Sequence, residues 1–353
     1  MRDARFAAVR TIASLATEHA VDAVLVAGDV FDSNHVADRT ILQALVAMRG
    51  YGGPWVLLPG NHDAALAESV WSRLERLGLP ANCILARTPQ PIVLADGRLV
   101  VLPAPLTERH SLDDLSAWMD EAETATLAAR VGLAHGCVAG RLPAEADAVN
   151  PIAADRARTA RLDYLALGDW HGTLEIAPRA WYAGTPEPDR FKANAAGQVL
   201  LVEIDGPGAT PRVQVLPTGS FAWQEYRLDL SAVGGGDEPA AAIDQTLAGG
   251  RRRERRIVRL TLAGTVDLAA RARIEAVLQR WRGELCHFEV EDRLAATPSD
   301  ADLARLGDAP VVGRVAHELA QLAQASGDEE ERAVAALALR LLFVEHGRLE
   351  GGR

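Results

Sequence analysis

The chain has 353 residues, a formal net charge of −11, and 48% hydrophobic against 24% charged residues, the proportions of a folded globular protein and not of a disordered one. Its length allows one sizeable domain plus a smaller one, and no run approaches the ~20 apolar residues of a membrane span, so no membrane partner is expected. Three scattered cysteines, Cys83, Cys137 and Cys286, offer neither a disulfide framework nor zinc-knuckle spacing. The acidic balance does not advertise a nucleic-acid binder, because phosphate contacts want a basic face. It does not exclude one, since divalent cations in a site can carry that attraction locally.

At the N-terminus Phe6, Val9, Ile12 and Leu15 recur at helical spacing, which predicts a helix from Arg2 to about His19. The segment lacks the apolar core and cleavage site of a signal peptide, and this argues for a cytoplasmic protein. Four apolar runs follow, VDAVLVAGD, PWVLLPGNHD, RVGLAHG and LDYLALGDWHG, each reading as a buried strand that stops at glycine or polar residues. Helical stretches such as 38–49 and 69–77 lie between them, the alternation of an α/β domain. Near Asp96-Gly97 two apolar runs meet at a hairpin turn, so a mixed sheet is expected. A turn-rich DGPGATP and a last strand, PRVQVLPTG, close this region near residue 217. From 218 to 297 the pattern is β-α-β-α-β, suited to a small ferredoxin-like α+β cap. From 298 to 353 it is helical and includes the strongly apolar AVAALALRLLFVEH, which must be buried in this chain or against a partner.

The polar residues of interest sit at strand ends: Asp29 in GDVFD, Asn61, His62 and Asp63 in GNHD, His135 in LAHG, and Asp169 with His171 in GDWH. Loops beyond the carboxyl ends of strands lie side by side in an α/β sheet, so these residues can converge on one crevice. Carboxylates, an amide oxygen and imidazoles make a mixed N/O ligand set that suits Mn²⁺, Fe²⁺ or Zn²⁺ better than Ca²⁺. Each motif alone is also explained as a turn; their order and shared position at strand ends set them apart.

The series GD, GNHD, a histidine after an apolar strand, then G-x-x-H resembles the calcineurin-like metallophosphoesterase superfamily. GDVFDSN, VLLPGNHD and WYAGTPEPDRF are similar to the Mre11/SbcD group of DNA repair exonucleases, over about residues 21 to 191. The resemblance implies a four-layer α/β/β/α sandwich over residues 1–217, the α+β cap over 218–297 and the helical region after it. It implies two divalent metal ions, with Mn²⁺ the best fit. Asp29 is then the bridging carboxylate, Asn61 and His135 bind the second metal and His171 the first. His62 is the acid that assists the leaving oxygen or the group that stabilises charge on the phosphoryl. Asp169 stands where the family usually has histidine, and it can still ligate as a harder, charged donor. Apart from what the resemblance implies, Arg190, next to Asp189, is a candidate substrate-phosphate contact. The basic cluster at 251–256 is either another such contact or a solvated loop.

Two cations about 4 Å apart would bind a phosphate oxygen, lower the pKa of a water and stabilise an in-line displacement. The family pattern begins with a strand ending in D-x-H, which this sequence does not show. The expectation is therefore that ~25 to 35 residues are absent, a strand itself being about 6, and that the chain binds one metal better than two and is weakly active or inactive. The activity implied is hydrolysis of DNA phosphodiester bonds, exonucleolytic with some endonuclease action, alongside an SbcC/Rad50-like ATPase and with a possible homodimer. A phosphoesterase for nucleotides or other small molecules, and a non-catalytic scaffold subunit, are the alternatives.

Overall fold

The computed structural model describes residues 2–141, 149–192, 194–231, 233, 237–250, 252–296, 299, 302, 304, 306 and 310–351. Arg251, which heads the basic cluster, and the first two residues of the expected helical tail's border, 297 and 298, lie outside them. The chain divides into two compact units, Met1–Phe221 and Ala222–Arg353.

In the first unit α1 (Arg2–Glu18), β1 (Val24–Val26), α2 (Asp38–Met48), β2 (Trp55–Leu57), α3 (Val70–Leu77) and β3 (Cys83–Leu85) alternate. The three strands form a parallel sheet in the order β1-β2-β3. Side chains of a strand point alternately to its two faces. Trp55 and Leu57 accordingly pack against Ala13 of α1, Ile41 and Leu45 of α2, and Trp71 and Leu74 of α3. Val56 and Leu58 point the other way, onto Val101 and Leu133 of a second sheet.

That second sheet contains β4 (Ile92–Leu94), β5 (Leu99–Ala104), β6 (Ala129–His135), β9 (Tyr164–Gly168), β10 (Leu174–Ala177) and β11 (Ala180–Tyr182). Its order is β10-β11-β9-β6-β5-β4, with parallel pairs at its centre and antiparallel pairs at both edges. β4 and β5 meet across the turn at residues 95–97, the place of the expected hairpin. The outward residues Val100, Leu102, Ala134, Leu165 and Leu167 are covered by Met119 and by the neighbourhood of α4 (Arg156–Thr159). Helices, sheet, sheet and helical cover make the four α/β/β/α layers. Two short parallel strands, β7 (Cys137–Val138) and β8 (Pro151–Ile152), and a hairpin of β12 (Gln198–Glu203) with β13 (Arg212–Pro217) complete the unit.

The second unit is β14 (Ala222–Asp229), α5 (Glu238–Ala248), β15 (Arg256–Val266), α6 (Leu268–Glu284) and β16 (His287–Ala296), followed by α7 (Pro310–Ala325) and α8 (Glu329–Gly351). The β-α-β-α-β order is the expected one, but β14, β15 and β16 are all parallel. A ferredoxin-like sheet is antiparallel, and the reason for the difference is connectivity: each helical crossover returns the chain in the same direction. Ile243 and Leu247 of α5 and Ile274, Leu278 and Trp281 of α6 cover Val258, Leu260 and Leu262. Leu339 and Phe343 of α8 pack with Ala316 and Ala320 of α7 and with Leu268, so the apolar C-terminal segment buries one stripe within its own unit. Val334, Leu337 and Leu341 remain exposed. Among the described residues no helix is long and apolar enough to cross a membrane.

A buried polar knot fixes the cover of the second sheet. Arg156 holds Asp114 at 2.8 Å, Asp120 at 2.5 Å and the Ser116 hydroxyl at 3.0 Å. Burial pushes the Asp114 carboxyl up, but hydrogen bonds from Ser116, Arg156 and the Ala153 N–H outweigh it and leave its pKa below the ordinary value. A carboxylate with a depressed folded-state pKa contributes stability above the unfolded value, about 3.9, and loses it as pH falls through the folded one. Arg156→Met should cost about 2 kcal/mol at neutral pH, less than for a fully buried pair because Asp120 is partly exposed. Urea titrations should show the gap between variant and parent closing below pH about 4.

Candidate functional site

The chain turns from β1 into Gly28-Asp29, from β2 into Gly60-Asn61-His62-Asp63, and from β9 into Asp169. These turns meet His135 at the end of β6 at the closest approach that backbones allow. A Cβ on Gly28, whose φ is +86°, would stand 2.1 Å from His135 Nδ1, and one on Gly168 would stand 1.7 Å from the Ala27 carbonyl. Only glycine fits at either place. Asp29 (φ 52°) and Asp169 (φ 97°) are themselves in the positive-φ region, where non-glycine residues are held only by their surroundings, often at functional sites.

His135 Nδ1 lies 2.8 Å from the Ala27 carbonyl. A carbonyl only accepts, so Nδ1 carries a hydrogen, and in the neutral ring Nε2 presents its lone pair. Around Nε2 stand Asn61 Oδ1 at 3.3 Å, Asp29 Oδ2 at 3.5 Å and Asp169 Oδ1 at 3.6 Å. The imidazole is 1% exposed, so little water screens this gathering of lone pairs. Turning the Asn61 amide would give Nε2 one donor; the two carboxylates have no such recourse.

The two motif loops are tied together by Asp63, which is fully buried. Its Oδ1 accepts from the Gly60 N–H at 2.7 Å and its Oδ2 from the Phe31 N–H at 3.1 Å, and its own carbonyl accepts from the Trp71 indole. Burial, against those two hydrogen bonds and with Asp29 nearby, pushes its carboxyl up to about 6. Asn34 adds a second tie, donating to the Ala64 carbonyl and accepting from the Val70 N–H. Both residues were visible in GDVFDSN and GNHD, yet their reading as loop fasteners needs the partner loop, which is 30 or more residues away. The His62 N–H donates to Asp29 Oδ1 at 2.9 Å, and the exposed His62 ring faces the Asp32 carbonyl through Nδ1 at 3.1 Å.

His171 is placed differently from His135. Its Nδ1 faces Asp189 Oδ2 at 3.6 Å, beyond hydrogen-bond length, and is a buried atom without a hydrogen-bond partner. Asp189 in turn takes a two-pronged contact from Arg190, at 2.8 and 2.9 Å. The His171 imidazole first, and the Arg190 guanidinium with it, hold the Asp189 carboxyl well below the usual carboxylate range, while burial acts against them. Arg190 is therefore committed to Asp189. The structure gathers Asp29, Asn61, His135 and Asp169 on one nitrogen, sets His62 beside them, and pairs His171 with Asp189 and Arg190.

The family model for calcineurin-like phosphoesterases matches residues 2–131. That stretch carries the first sheet, its helices and the GD and GNHD loops, and the α/β/β/α architecture agrees with it. Residues 2–131 are thus similar to a calcineurin-like phosphoesterase domain, a hydrolase fold whose members usually bind divalent metals. No curated protein matches the sequence.

Among the described residues no three His, Cys, Asp or Glu side chains are already gathered as around a metal ion; two close pairs share His135 Nε2, and His171 with Asp189 is a third. The donor chemistry nevertheless fits one cation. With bonds of ~2.1 Å, neighbouring ligands of an ion stand about 3.0 to 3.4 Å apart, and the oxygens lie 3.3 to 3.6 Å from Nε2. Gly28→Ala should push His135 off the Ala27 carbonyl: the variant is expected to melt lower, by an amount matching about 2 kcal/mol or more, and to lose divalent-metal binding in calorimetric titration.

Proposed function

We propose that this protein is a metal-dependent phosphodiesterase that hydrolyses DNA phosphodiester bonds as an exonuclease, with some endonuclease action, in DNA repair. The observation that carries the reading is the set of acceptor atoms around His135 Nε2 at the strand ends of a calcineurin-like phosphoesterase domain. Asp29, Asn61, His135 and Asp169 hold one divalent ion, Mn²⁺ suiting the mixed oxygen and nitrogen donors. His171, beside Asp189, belongs to a second and weaker position. Bound metal supplies Lewis acidity and a nucleophile at neutral pH. The chain's own residues do the rest. Asp29 would offer its carboxylate to the ion, and the Ala27 carbonyl keeps His135 in the tautomer whose Nε2 can ligate. His62 faces the Asp32 carbonyl through Nδ1, and as an imidazolium it would keep that hydrogen there while handing its Nε2 proton to the leaving oxygen.

The substrate and the setting follow from the resemblance of GDVFDSN, VLLPGNHD and YAGTPEPDRF to the Mre11/SbcD group, and so do a cytoplasmic location, a homodimer and an SbcC/Rad50-like ATPase partner. The exposed Val334, Leu337 and Leu341 of α8 are compatible with such a partner. The scaffold alternative draws on the absence, among the described residues, of an assembled three-residue metal cluster.

Titration with Mn²⁺ should give one tight site per chain and a second at least tenfold weaker, and Asp29→Ala or His135→Ala should abolish the tight one. Hydrolysis of an oligonucleotide and of bis(p-nitrophenyl) phosphate should require Mn²⁺, stop with EDTA, and fall about 10²-fold or more in His62→Ala. No Mn²⁺ uptake would overturn the enzyme in favour of the scaffold. Cleavage of the small diester but not of DNA would favour the small-molecule phosphoesterase.

A further inference from the structure

Of the 37 lysines and arginines in the chain, one is a lysine, Lys192. Every other Lys/Arg position is arginine, and the two side chains are not interchangeable: lysine is a compact, swivelling point charge on a flexible stem. Lys192 stands beside the candidate site. Its Nζ lies 4.4 Å from the ring centroid of Trp170, the residue between Asp169 and His171. The Trp170 ring packs on the core of the six-stranded sheet, so it is a fixed platform for the ammonium.

The loop that carries Lys192 is fastened to the GDWHG loop. The Thr173 N–H donates to the Ala195 carbonyl at 3.4 Å, and a Cβ on Gly172 would stand 1.8 Å from the Asn194 carbonyl. Backbone bonds from Lys192 to the Arg190 carbonyl and from Asn194 to the Lys192 carbonyl tighten the loop. Arg190, the cation two residues away, is neutralised by its two-pronged bond to Asp189. Lys192 is exposed, and among the described residues its ammonium has no carboxylate partner. Among the described residues of these two loops, the positive charge without a carboxylate partner is therefore the lysine's.

We propose that Lys192, seated on Trp170, is a substrate-binding residue that contacts the phosphate next to the scissile one on a nucleic-acid strand. The proposal rests on the phosphodiesterase reading above and deepens it, since an isolated phosphodiester has no neighbouring phosphate for the ammonium to meet. Lys192 thereby selects for polyanionic substrates and takes no part in the bond-breaking step.

The full chain and its Lys192→Ala and Lys192→Arg variants should be compared in two assays. The first is fluorescence anisotropy with a short labelled single-stranded oligonucleotide in EDTA over a salt series. Lys192→Ala is expected to bind roughly five- to tenfold more weakly, with the slope of log K against log salt smaller by about 0.7; Lys192→Arg keeps the slope. The second is hydrolysis with Mn²⁺: Lys192→Ala should raise KM for the oligonucleotide and leave kcat, and all constants for bis(p-nitrophenyl) phosphate, unchanged. Thermal melting establishes that the variants are folded. An unchanged salt slope, absence of binding by the parent protein, or equal losses on both substrates would overturn the inference. If the parent protein binds the oligonucleotide but hydrolyses neither substrate, the phosphodiesterase reading fails while the salt slope still decides the role of Lys192.

Discussion

The carbonyl of Ala27 receives His135 Nδ1 at 2.8 Å and would lie 1.7 Å from a Cβ at position 168, so the ends of β1, β6 and β9 cannot shift relative to one another without breaking this junction. Ala27 leaves the first sheet, and His135 and Gly168 leave the second. One carbonyl thus joins the two halves of the sandwich at the rim where the polar residues emerge. It also decides which imidazole nitrogen keeps its lone pair. Geometry and proton placement, separate matters in most histidines, are here set by a single acceptor.

Around that junction the molecule accepts electrostatic cost. Asp29 and Asp169 sit in unfavourable backbone conformations, and their carboxylates crowd onto one imidazole nitrogen. Such an arrangement stores strain that a cation would relieve. The loops do not spring apart, because Asp63 and Asn34 fasten them with hydrogen bonds out of reach of water. Burying Asp63 raises the free energy of its ionised form, and its N–H partners offset part of that. The loops are held by one carboxylate so that others can face inward.

Much of this was legible in the sequence, and the reasons are physical. Strand runs ending in Gly-Asp, Gly-Asn-His-Asp and a lone histidine named the elements and their order, because apolar runs with polar stops are what a buried parallel sheet requires. Convergence of Asp29, Asn61 and His135 followed from where such loops lie. The rest depended on partners distant in sequence. Nothing in GDWH says that His171 will face Asp189 or that Arg190 will be taken up by the same carboxylate. The parallel sense of β14, β15 and β16 was implicit in the β-α-β-α-β order, but strand direction comes from crossover geometry and not from the apolar pattern of a strand. Lys192 was hidden by its ordinary surroundings, and only its distance to Trp170 gives it meaning.

The solitary ε-amine has a chemical consequence beyond recognition. Amine-selective reagents, which on most proteins of this size decorate many places at once, have a single side-chain target here. That target rests on an indole ring. A fluorophore or spin label coupled through it would therefore sit at the rim of the candidate centre without any cysteine engineering, and the neighbouring tryptophan would serve as a built-in optical partner. The chain thus carries, at the place of greatest interest, its own handle for spectroscopy.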